Sequence, residues 1–280
     1  MKRPEVKVKS KNIINDLLKH LQKLLPSLKE YEGLFGITLN GGLSRGYADH
    51  LSEIDITLFL DSATYKKWSN KNQSALPQAK RPYEGVYNIY ELDGVFYDIK
   101  YVNLAEEQQI GWEQVTLWDA SYAEILYDPK GMISKLYESK LGKHPDIKMI
   151  KNSLFACWWY SHLAGNIWIH RGDIPQGHLM LTEAVKSVLQ ALFIVNNEYI
   201  PHEKWVIHMT RSLPWLPENW DKRISQVMTA INESSDDLKR RQEIIKKIHL
   251  DVERYLNEDY EPHAFPSMKH KNKYLTNHFS

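Results

Sequence analysis

Residues 41–56 decide the fold, and they read GGLSRGYADHLSEIDI. The opening glycines allow the backbone to approach a ligand closely and to expose N–H groups, which suits a phosphate. Glu53 and Asp55 stand two residues apart at the start of an apolar run. On a strand both carboxylates point to one face, while the isoleucines between and after them point to a core. Two adjacent carboxylates repel each other, and a divalent cation removes that cost. The stretch therefore predicts a phosphate-binding loop followed by a metal-binding strand.

Strand patterns flank this stretch. Short apolar runs bounded by glycine or polar residues predict strands at 34–40, 54–60, 86–92, 95–102 and 123–127. The pair Asp93-Gly94 separates two of them and favours the tight turn of a hairpin. Apolar residues at helical spacing predict a helix over 13–25, capped by Ser10 and ending around Pro26, and a second helix over 105–118. The first half of the chain therefore mixes strands with helices.

A third carboxylate, Asp98, lies in the middle of the second hairpin strand, where a buried unpaired charge would be costly. If that strand lies beside the strand of Glu53 and Asp55, the three carboxylates can hold two magnesium ions. One ion would lower the pKa of an attacking hydroxyl, and the other would neutralise a triphosphate. The three residues are therefore the candidate catalytic and metal-binding set.

The second half has a different pattern. From about residue 148 onward the strand patterns give way to helical ones, at 150–170, 179–195, 224–231 and 238–256. This change predicts two domains, residues 1–145 and 146–280, with a boundary near Lys143-His144-Pro145. The predicted fold class is α+β, a mixed β-sheet with flanking helices followed by a C-terminal helical bundle.

Composition narrows the partners. The 280 residues carry a net charge of +1, with 36 basic and 35 acidic residues, which disfavours a nucleic-acid partner and an anionic membrane. The single cysteine, Cys157, excludes an internal disulfide and suits a reducing compartment. No stretch approaches the roughly 18 uncharged apolar residues of a membrane span, and no apolar signal core follows the basic N-terminus. We expect a cytoplasmic protein that has no membrane partner.

The motif residues resemble those of the nucleotidyltransferase superfamily, to which DNA polymerase β and the antibiotic nucleotidyltransferases belong. The resemblance covers roughly residues 30 to 130. It rests on Gly41-Gly42, Ser44-Arg45-Gly46, Ser52-Glu53-Ile54-Asp55 and Asp98. It implies that Glu53, Asp55 and Asp98 bind the metal and that Gly41, Gly42, Ser44 and Arg45 bind the nucleotide. Two positions depart from the family pattern. Gly42 stands where a phosphate-binding serine is usual, and Glu53 stands where the first aspartate is expected.

The helical half resembles the C-terminal regions of aminoglycoside-type nucleotidyltransferases. The resemblance implies that Lys204 and Arg171 bind the triphosphate and that Glu183 lies on the acceptor side. Simpler interpretations stay open for each residue. Lys204 could be a surface lysine, Arg171 could pair with Asp173, and Glu183 could belong to a polar helix face.

Together these features predict a magnesium-dependent nucleotidyltransferase that moves AMP from ATP, the favoured NTP, onto a hydroxyl of a small molecule. The resemblance favours an aminoglycoside-like or lincosamide-like acceptor, and it leaves a homodimer open. One alternative is a catalytically weak relative that binds a nucleotide or a partner. Another is a toxin-type nucleotidyltransferase that modifies protein or tRNA.

Overall fold

The computed structural model describes residues 10–69, 75–83, 88–142 and 147–257. The chain divides into two compact units, Met1–Lys143 and His144–Ser280. The first unit contains a β-sheet with helices, and the described part of the second unit is helical, so the α+β prediction is confirmed. Two separate domains with a boundary at residue 145 stay a prediction, and residues 86 and 87 of the predicted hairpin lie outside the described residues.

The first unit is built on a five-stranded sheet. In chain order the strands are β1 (Leu34–Leu39), β2 (Ile54–Leu60), β3 (Ile89–Leu92), β4 (Val95–Asn103) and β5 (Glu124–Tyr127). Their order in the sheet is β3-β4-β2-β1-β5. β2 and β4 are parallel, and the other neighbouring pairs are antiparallel. The predicted β3–β4 hairpin is confirmed: Asp93 and Gly94 adopt positive φ angles of 52° and 75°.

Two apolar clusters cover different parts of the sheet. Helix α1 (Ile14–Lys29) contributes buried leucines to the larger cluster, which includes the side chains of Ile54 and Ile56. The smaller cluster lies on the opposite face and contains Phe59 and Val102 with two side chains of α6 (Met132–Leu141). Because side chains alternate along a strand, Asp55 and Asp98 share the face of Phe59 and Val102 but lie at the other end of their strands. The carboxylates therefore stand beside an apolar cluster, not within it.

Helix α1 differs from its prediction at both ends. The Ser10 hydroxyl does not cap it and instead donates to Oδ2 of Asp49 at 2.6 Å. The N-cap residue is Ile13, and Oδ1 of Asn12 before it accepts from the N–H of Ile14 at 3.0 Å. Pro26 lies inside the helix, which continues to Lys29. The continuation places Leu28 in the core, fully buried, and this burial outweighs the lost backbone hydrogen bond.

The helix predicted over 105–118 is wrong as a single helix. The chain forms two shorter helices, α4 (Leu104–Glu107) and α5 (Gln114–Tyr122). Between them Trp112 turns inward, packs edge-on against Tyr137 at 5.5 Å and donates from Nε1 to Glu107 at 2.6 Å. Packing of this indole, which helical spacing cannot show, accompanies the gap between α4 and α5. Two further helices, α2 (Gly41–Ser44) and α3 (Ser62–Trp68), complete the described part of the unit.

The second unit packs α7 (Ile147–His162), α8 (Ile174–Val195) and α11 (Ser235–Asn257) around a common core, with the shorter helices α9 (Val206–Thr210) and α10 (Trp220–Met228). The helix predicted over 150–170 changes to a π-helical turn at Leu163–Trp168. Just before this turn, the Ser161 carbonyl accepts from Nε2 of Gln242 on α11 at 2.8 Å. This hydrogen bond joins α11 to α7.

Helix α8 is long and apolar enough to cross a membrane, judged by its length and composition alone. Its most apolar window is 56% buried within the protein. Leu181, Val188 and Leu192 of this helix are buried, and the helix packs against α7 and α11. Burial in the core of the second unit accounts for its hydropathy.

Candidate functional site

The three predicted carboxylates come together in the first unit. Asp55 on β2 and Asp98 on β4 are directly paired positions of two parallel neighbouring strands. This is the arrangement on which the predicted shared site depends. Glu53 precedes Asp55 by two residues and shares its face. One carboxylate oxygen from each residue lies within 4.8 Å of the others, and all three side chains are partly buried. These three residues are called the acidic cluster below.

The charge of the acidic cluster is unfavourable as it stands. Burial first, and then the neighbouring carboxylates of Glu53, Asp98 and Asp119, raise the pKa of Asp55 to about 7, while Arg45 opposes them. Three carboxylate oxygens at this separation are ligands of the kind that Mg²⁺ and Mn²⁺ prefer. The acidic cluster therefore fits a divalent cation, whose charge would offset the repulsion.

Gly41 is fixed against Asp55. Its φ is +64°, and a Cβ at this position would lie 1.7 Å from Oδ2 of Asp55. The backbone just before Gly41 is held as well, because the N–H of Asn40 donates to the Asp55 carbonyl at 2.9 Å. The glycine therefore provides the space in which the Asp55 carboxylate lies. At Gly42 a Cβ would lie 2.8 Å from the Tyr47 carbonyl, so the loop is closely packed there too.

Two predicted nucleotide ligands have structural contacts. The Ser44 side chain is buried, and its hydroxyl donates to the Gly41 carbonyl at 3.0 Å. Arg45 is buried, with Nη1 donating to Oδ1 of Asp119 at 2.7 Å and its guanidinium 4.5 Å from the Trp118 ring centre. Both contacts hold the loop after β1 in place. Nucleotide binding by these residues stays a prediction.

Asp49 fixes the remainder of the loop before β2. Its carboxylate accepts hydrogen bonds from the hydroxyls of Ser10 and Tyr47 and from the backbone N–H of Leu51. These bonds, that from Ser10 first, hold the pKa of Asp49 well below its usual range. Asp49 lies within residues 41–56, and the sequence pattern predicts no role for it. Its contacts position the residues immediately before Glu53.

A row of side-chain hydrogen bonds crosses the sheet face that carries Asp55. Nδ2 of Asn40 donates to the Thr57 hydroxyl at 2.7 Å, and the Thr38 hydroxyl donates to Oδ1 of Asn40 at 3.0 Å. The Tyr137 hydroxyl reaches Thr38 at 3.5 Å, and burial raises the pKa of Tyr137 to about 12. Tyr137 therefore stays neutral at physiological pH and provides a hydroxyl, not a charge.

Two residues that interact with the acidic cluster were not predicted from the sequence. Nδ2 of Asn88 donates to Oδ1 of Asp98 at 2.6 Å and so orients that carboxylate. Asp119, on α5, lies close enough to Asp55 to raise its pKa and binds Arg45. Neither residue belongs to a recognisable motif. Asp119 is 74 positions from Arg45, so only the folded chain brings the pair together.

The predicted residues of the second unit have contacts within that unit. Arg171 is exposed and lies over the Trp168 ring at 4.7 Å, whereas Asp173 caps α8 by accepting from the N–H of Gln176. Glu183 pairs with Lys186 at 3.3 Å. Lys204 is exposed, and its backbone N–H donates to the ring of His202 at 3.2 Å. The roles of Arg171, Glu183 and Lys204 in binding stay predictions.

Comparison with known proteins gives a partial likeness. Residues 111–206, less than half of the chain, match the family described as "Domain of unknown function (DUF4037)". No curated protein matches the sequence. A solved nucleotidyltransferase-like protein from Exiguobacterium sibiricum 255-15 is 11% identical, with 86% of this chain and 78% of that chain covered and a TM-score of 0.43.

A solved aminoglycoside 6-adenyltransferase from Bacillus subtilis is also 11% identical, with 90% of this chain and 96% of that chain covered and a TM-score of 0.36. Both TM-scores are low, so neither structure bears on the role of a residue. The chain resembles the nucleotidyltransferase superfamily, and the residues that carry the resemblance are residues 41–56 and Asp98.

Proposed function

We propose that the protein is a cytoplasmic, metal-dependent nucleotidyltransferase that moves AMP from ATP onto a hydroxyl of a small molecule. One observation carries the proposal. Carboxylate oxygens of Glu53, Asp55 and Asp98 converge within 4.8 Å beside the glycine loop that begins at Gly41. A phosphate-binding loop next to a divalent cation site is what transfer from a nucleoside triphosphate requires.

In the proposed reaction the acceptor oxygen attacks the α-phosphorus in line. A new oxygen–phosphorus bond forms as the bond to pyrophosphate breaks, and the proton of the acceptor hydroxyl passes to solvent. Glu53, Asp55 and Asp98 would hold the metal ions, two of them in the full complex. Bound there, the ions would lower the pKa of the attacking hydroxyl and would neutralise charge on the triphosphate. Gly41 and Gly42 would let the phosphates approach the backbone, and Asn88 would keep Asp98 oriented.

A small acceptor is favoured over a polymeric one. The net charge of +1 provides no field to attract nucleic acid, and the resemblance favours an antibiotic-like molecule of the aminoglycoside or lincosamide type. Protection of the protein against heat by such a compound, in the presence of a nucleotide and Mg²⁺, would support this class. No protection and no binding by either type would remove it.

Calorimetric titration of ATP, and of the other three NTPs, tests the proposal, with and without Mg²⁺. We expect micromolar binding that needs Mg²⁺ and is lost in Asp55→Asn and in Asp98→Asn. Asp16→Asn is the matched control, because Asp16 is an exposed carboxylate of α1, paired with Lys19. If no nucleotide binds, either with or without Mg²⁺, the proposal is overturned.

A catalytically weak nucleotide-binding protein is the second candidate. Three observations favour it: glycine occupies position 42, the Ser44 hydroxyl donates to Gly41, and glutamate occupies position 53. Compared with aspartate, the extra methylene of Glu53 moves its oxygens by roughly 1.5 Å. Glu53→Asp distinguishes the two candidates. A large gain of turnover from a negligible base would favour the weak relative, whereas a loss or little change would favour glutamate as the working ligand.

A further inference from the structure

Two stacked aromatic side chains lie on the sheet face that carries the acidic cluster. The rings of Tyr83 and Phe96 have centroids 6.3 Å apart, with an angle of 23° between their planes. Tyr83 is 54% exposed, and it is the one exposed aromatic residue among those that the structure describes in the first unit. Tyr83 and Phe96 are called the aromatic pair below. A stack that keeps one ring in solvent offers a flat apolar surface to a ligand.

Strand geometry places Phe96 beside the acidic cluster. Phe96 precedes Asp98 by two residues on β4, a span of about 7 Å, so both side chains share one face. The buried Tyr97 between them points to the other face. Tyr97 pairs with Ile54 of β2. The residues that precede this pair, Phe96 and Glu53, therefore lie at neighbouring positions on the two strands.

The segment that carries Tyr83 is anchored to the outer strand β3. Lys80 and Glu91 exchange backbone hydrogen bonds of 3.0 and 2.9 Å. Glu91 pairs in turn with Phe96 on β4. Because Tyr83 follows Lys80 by only three residues, this pairing and the ring contact together limit its movement. The aromatic pair is therefore already in place before a ligand arrives, which lowers the entropy lost on binding.

The sheet order places the aromatic pair across the acidic cluster from the glycine loop. β1, which leads into that loop, lies beside the strand of Asp55, and β3 lies beside the strand of Asp98 on the other side. In an in-line transfer the attacking oxygen and the leaving pyrophosphate stand on opposite sides of the α-phosphorus, and the nucleoside is attached off this axis. With the phosphates at the glycine loop, the acceptor enters over β4 and β3. The aromatic pair therefore meets the acceptor, not the triphosphate.

We propose that Tyr83 and Phe96 form the acceptor-binding surface of the transfer site, on which a hydroxylated ring of the acceptor lies flat. The C–H face of a sugar or cyclitol ring packs on an aromatic face, while the hydroxyls at its rim stay free to reach the acidic cluster. The inference rests on the proposed function, because it assumes transfer to a small molecule at that cluster. It adds two residues outside the motif and selects ring compounds over acyclic alcohols.

Binding of ring compounds to the full chain tests the inference without turnover. The protein is first saturated with Mg²⁺ and an ATP analogue that has a methylene group between the α- and β-phosphates and so cannot transfer AMP. Kanamycin, lincomycin and the acyclic polyol glycerol are then titrated by calorimetry. We expect at least one of the two ring compounds to bind about 10-fold more tightly than glycerol or better.

Substitutions of the aromatic pair locate that binding. Tyr83→Leu, which keeps an apolar side chain but removes the ring, should lower the affinity for the ring compound about 10-fold, and Tyr83→Phe should stay within about threefold of the unmodified protein. Phe96→Leu should act in the same direction as Tyr83→Leu. Affinity for ATP and for Mn²⁺ should not change, because neither side chain belongs to the acidic cluster. Tyr255→Leu is the matched control, since Tyr255 is an exposed tyrosine stacked on Trp215 in the second unit.

Each failure has its own signature. Equal affinity for the ring compound in Tyr83→Leu and the unmodified protein, with both folded by circular dichroism, would overturn this inference and leave the proposed function standing. A loss of ATP affinity at unchanged affinity for the ring compound would mean that the aromatic pair stacks on the nucleobase, and it would overturn the inference too, as would two ring compounds that bind no better than glycerol. Absence of ATP binding in the unmodified protein would overturn both proposals. If Phe96→Leu does not fold, the contrast between Tyr83→Leu and Tyr83→Phe decides, because Tyr83 is exposed.

Discussion

Gly41→Ala should damage the metal site while leaving the fold intact. The added methyl group would lie 1.7 Å from Oδ2 and 2.4 Å from Cγ of Asp55, far inside van der Waals contact. The Asp55 backbone cannot retreat, because it pairs with β4 on one side and accepts from Asn40 on the other. The carboxylate must therefore rotate out of the acidic cluster.

The size of the effect follows from two separate costs. A φ of +64° costs alanine about 1–2 kcal/mol relative to glycine. The clash adds about 1–3 kcal/mol, as overpacking usually does. Gly131→Ala is the matched control, because Gly131 also has a φ of +64° but a Cβ there meets nothing within 4 Å. The two variants therefore share the first cost and differ in the second.

Urea unfolding and Mn²⁺ titration together measure the two costs. Both variants should lose about 1–2 kcal/mol of unfolding free energy through the backbone. Only Gly41→Ala should lose more, and only Gly41→Ala should bind Mn²⁺ at least about 10-fold more weakly. Equal Mn²⁺ affinity in the two variants would refute the claim that Gly41 makes room for Asp55.

Three further predictions concern pH and packing. Because the pKa of Asp55 is raised to about 7, a proton competes with the cation below that pH. Mn²⁺ affinity measured by calorimetry should then fall about 10-fold per pH unit on acidification and level off above pH 7, and an affinity that does not vary between pH 5 and 7 would contradict this. Burial lowers the pKa of His249 from 6.5 to about 4, so the folded state binds fewer protons than the unfolded state between these values. The contribution of His249 to the unfolding free energy should therefore fall by up to about 3 kcal/mol as pH drops from 6.5 to 4, and the difference in pH dependence between the unmodified protein and His249→Phe in urea titrations measures it; the same pH dependence in both proteins would disprove the assignment. Gln242→Leu leaves the Ser161 carbonyl without its donor and should lower unfolding free energy by about 1–3 kcal/mol, whereas no measurable loss would mean that the π-helical turn does not depend on α11.

The strands and the acidic cluster followed from local pattern. Alternation of apolar and acidic residues put Glu53 and Asp55 on one face, and the Asp93-Gly94 turn located the hairpin that carries Asp98. The sequence did not show that the strand of Asp98 lies beside the strand of Asp55. The observed parallel pairing of β2 with β4 meets that condition. Periodicity and turn chemistry suffice where a site lies on neighbouring strands of one sheet.

The sequence did not reveal the features that depend on contacts between distant residues. Serine is a preferred N-cap residue, yet the hydroxyl of Ser10 donates to Asp49, 39 residues away. Trp112 lies within a helical pattern, yet it packs on Tyr137 from the gap between two separate helices. Asp119 has no motif, because its partner Arg45 lies 74 residues away. In each case a tertiary contact outweighs a local preference worth about 1 kcal/mol or less.

Glu53 decides between the two candidate functions, and the neighbouring geometry sets what its replacement can show. Asp55 is held by Gly41 and by strand pairing, and Asp98 is oriented by Asn88, so neither carboxylate can follow a displaced ion. Glu53 precedes β2 and has a longer side chain than aspartate, so its oxygens reach farther from the backbone toward an ion that the other two residues position. If glutamate is the working ligand, Glu53→Asp should weaken Mn²⁺ binding, because a shorter side chain must reach a fixed point. If the site has decayed from an aspartate ancestor, the same substitution should tighten Mn²⁺ binding and raise turnover together, and either sign of the change excludes the other account.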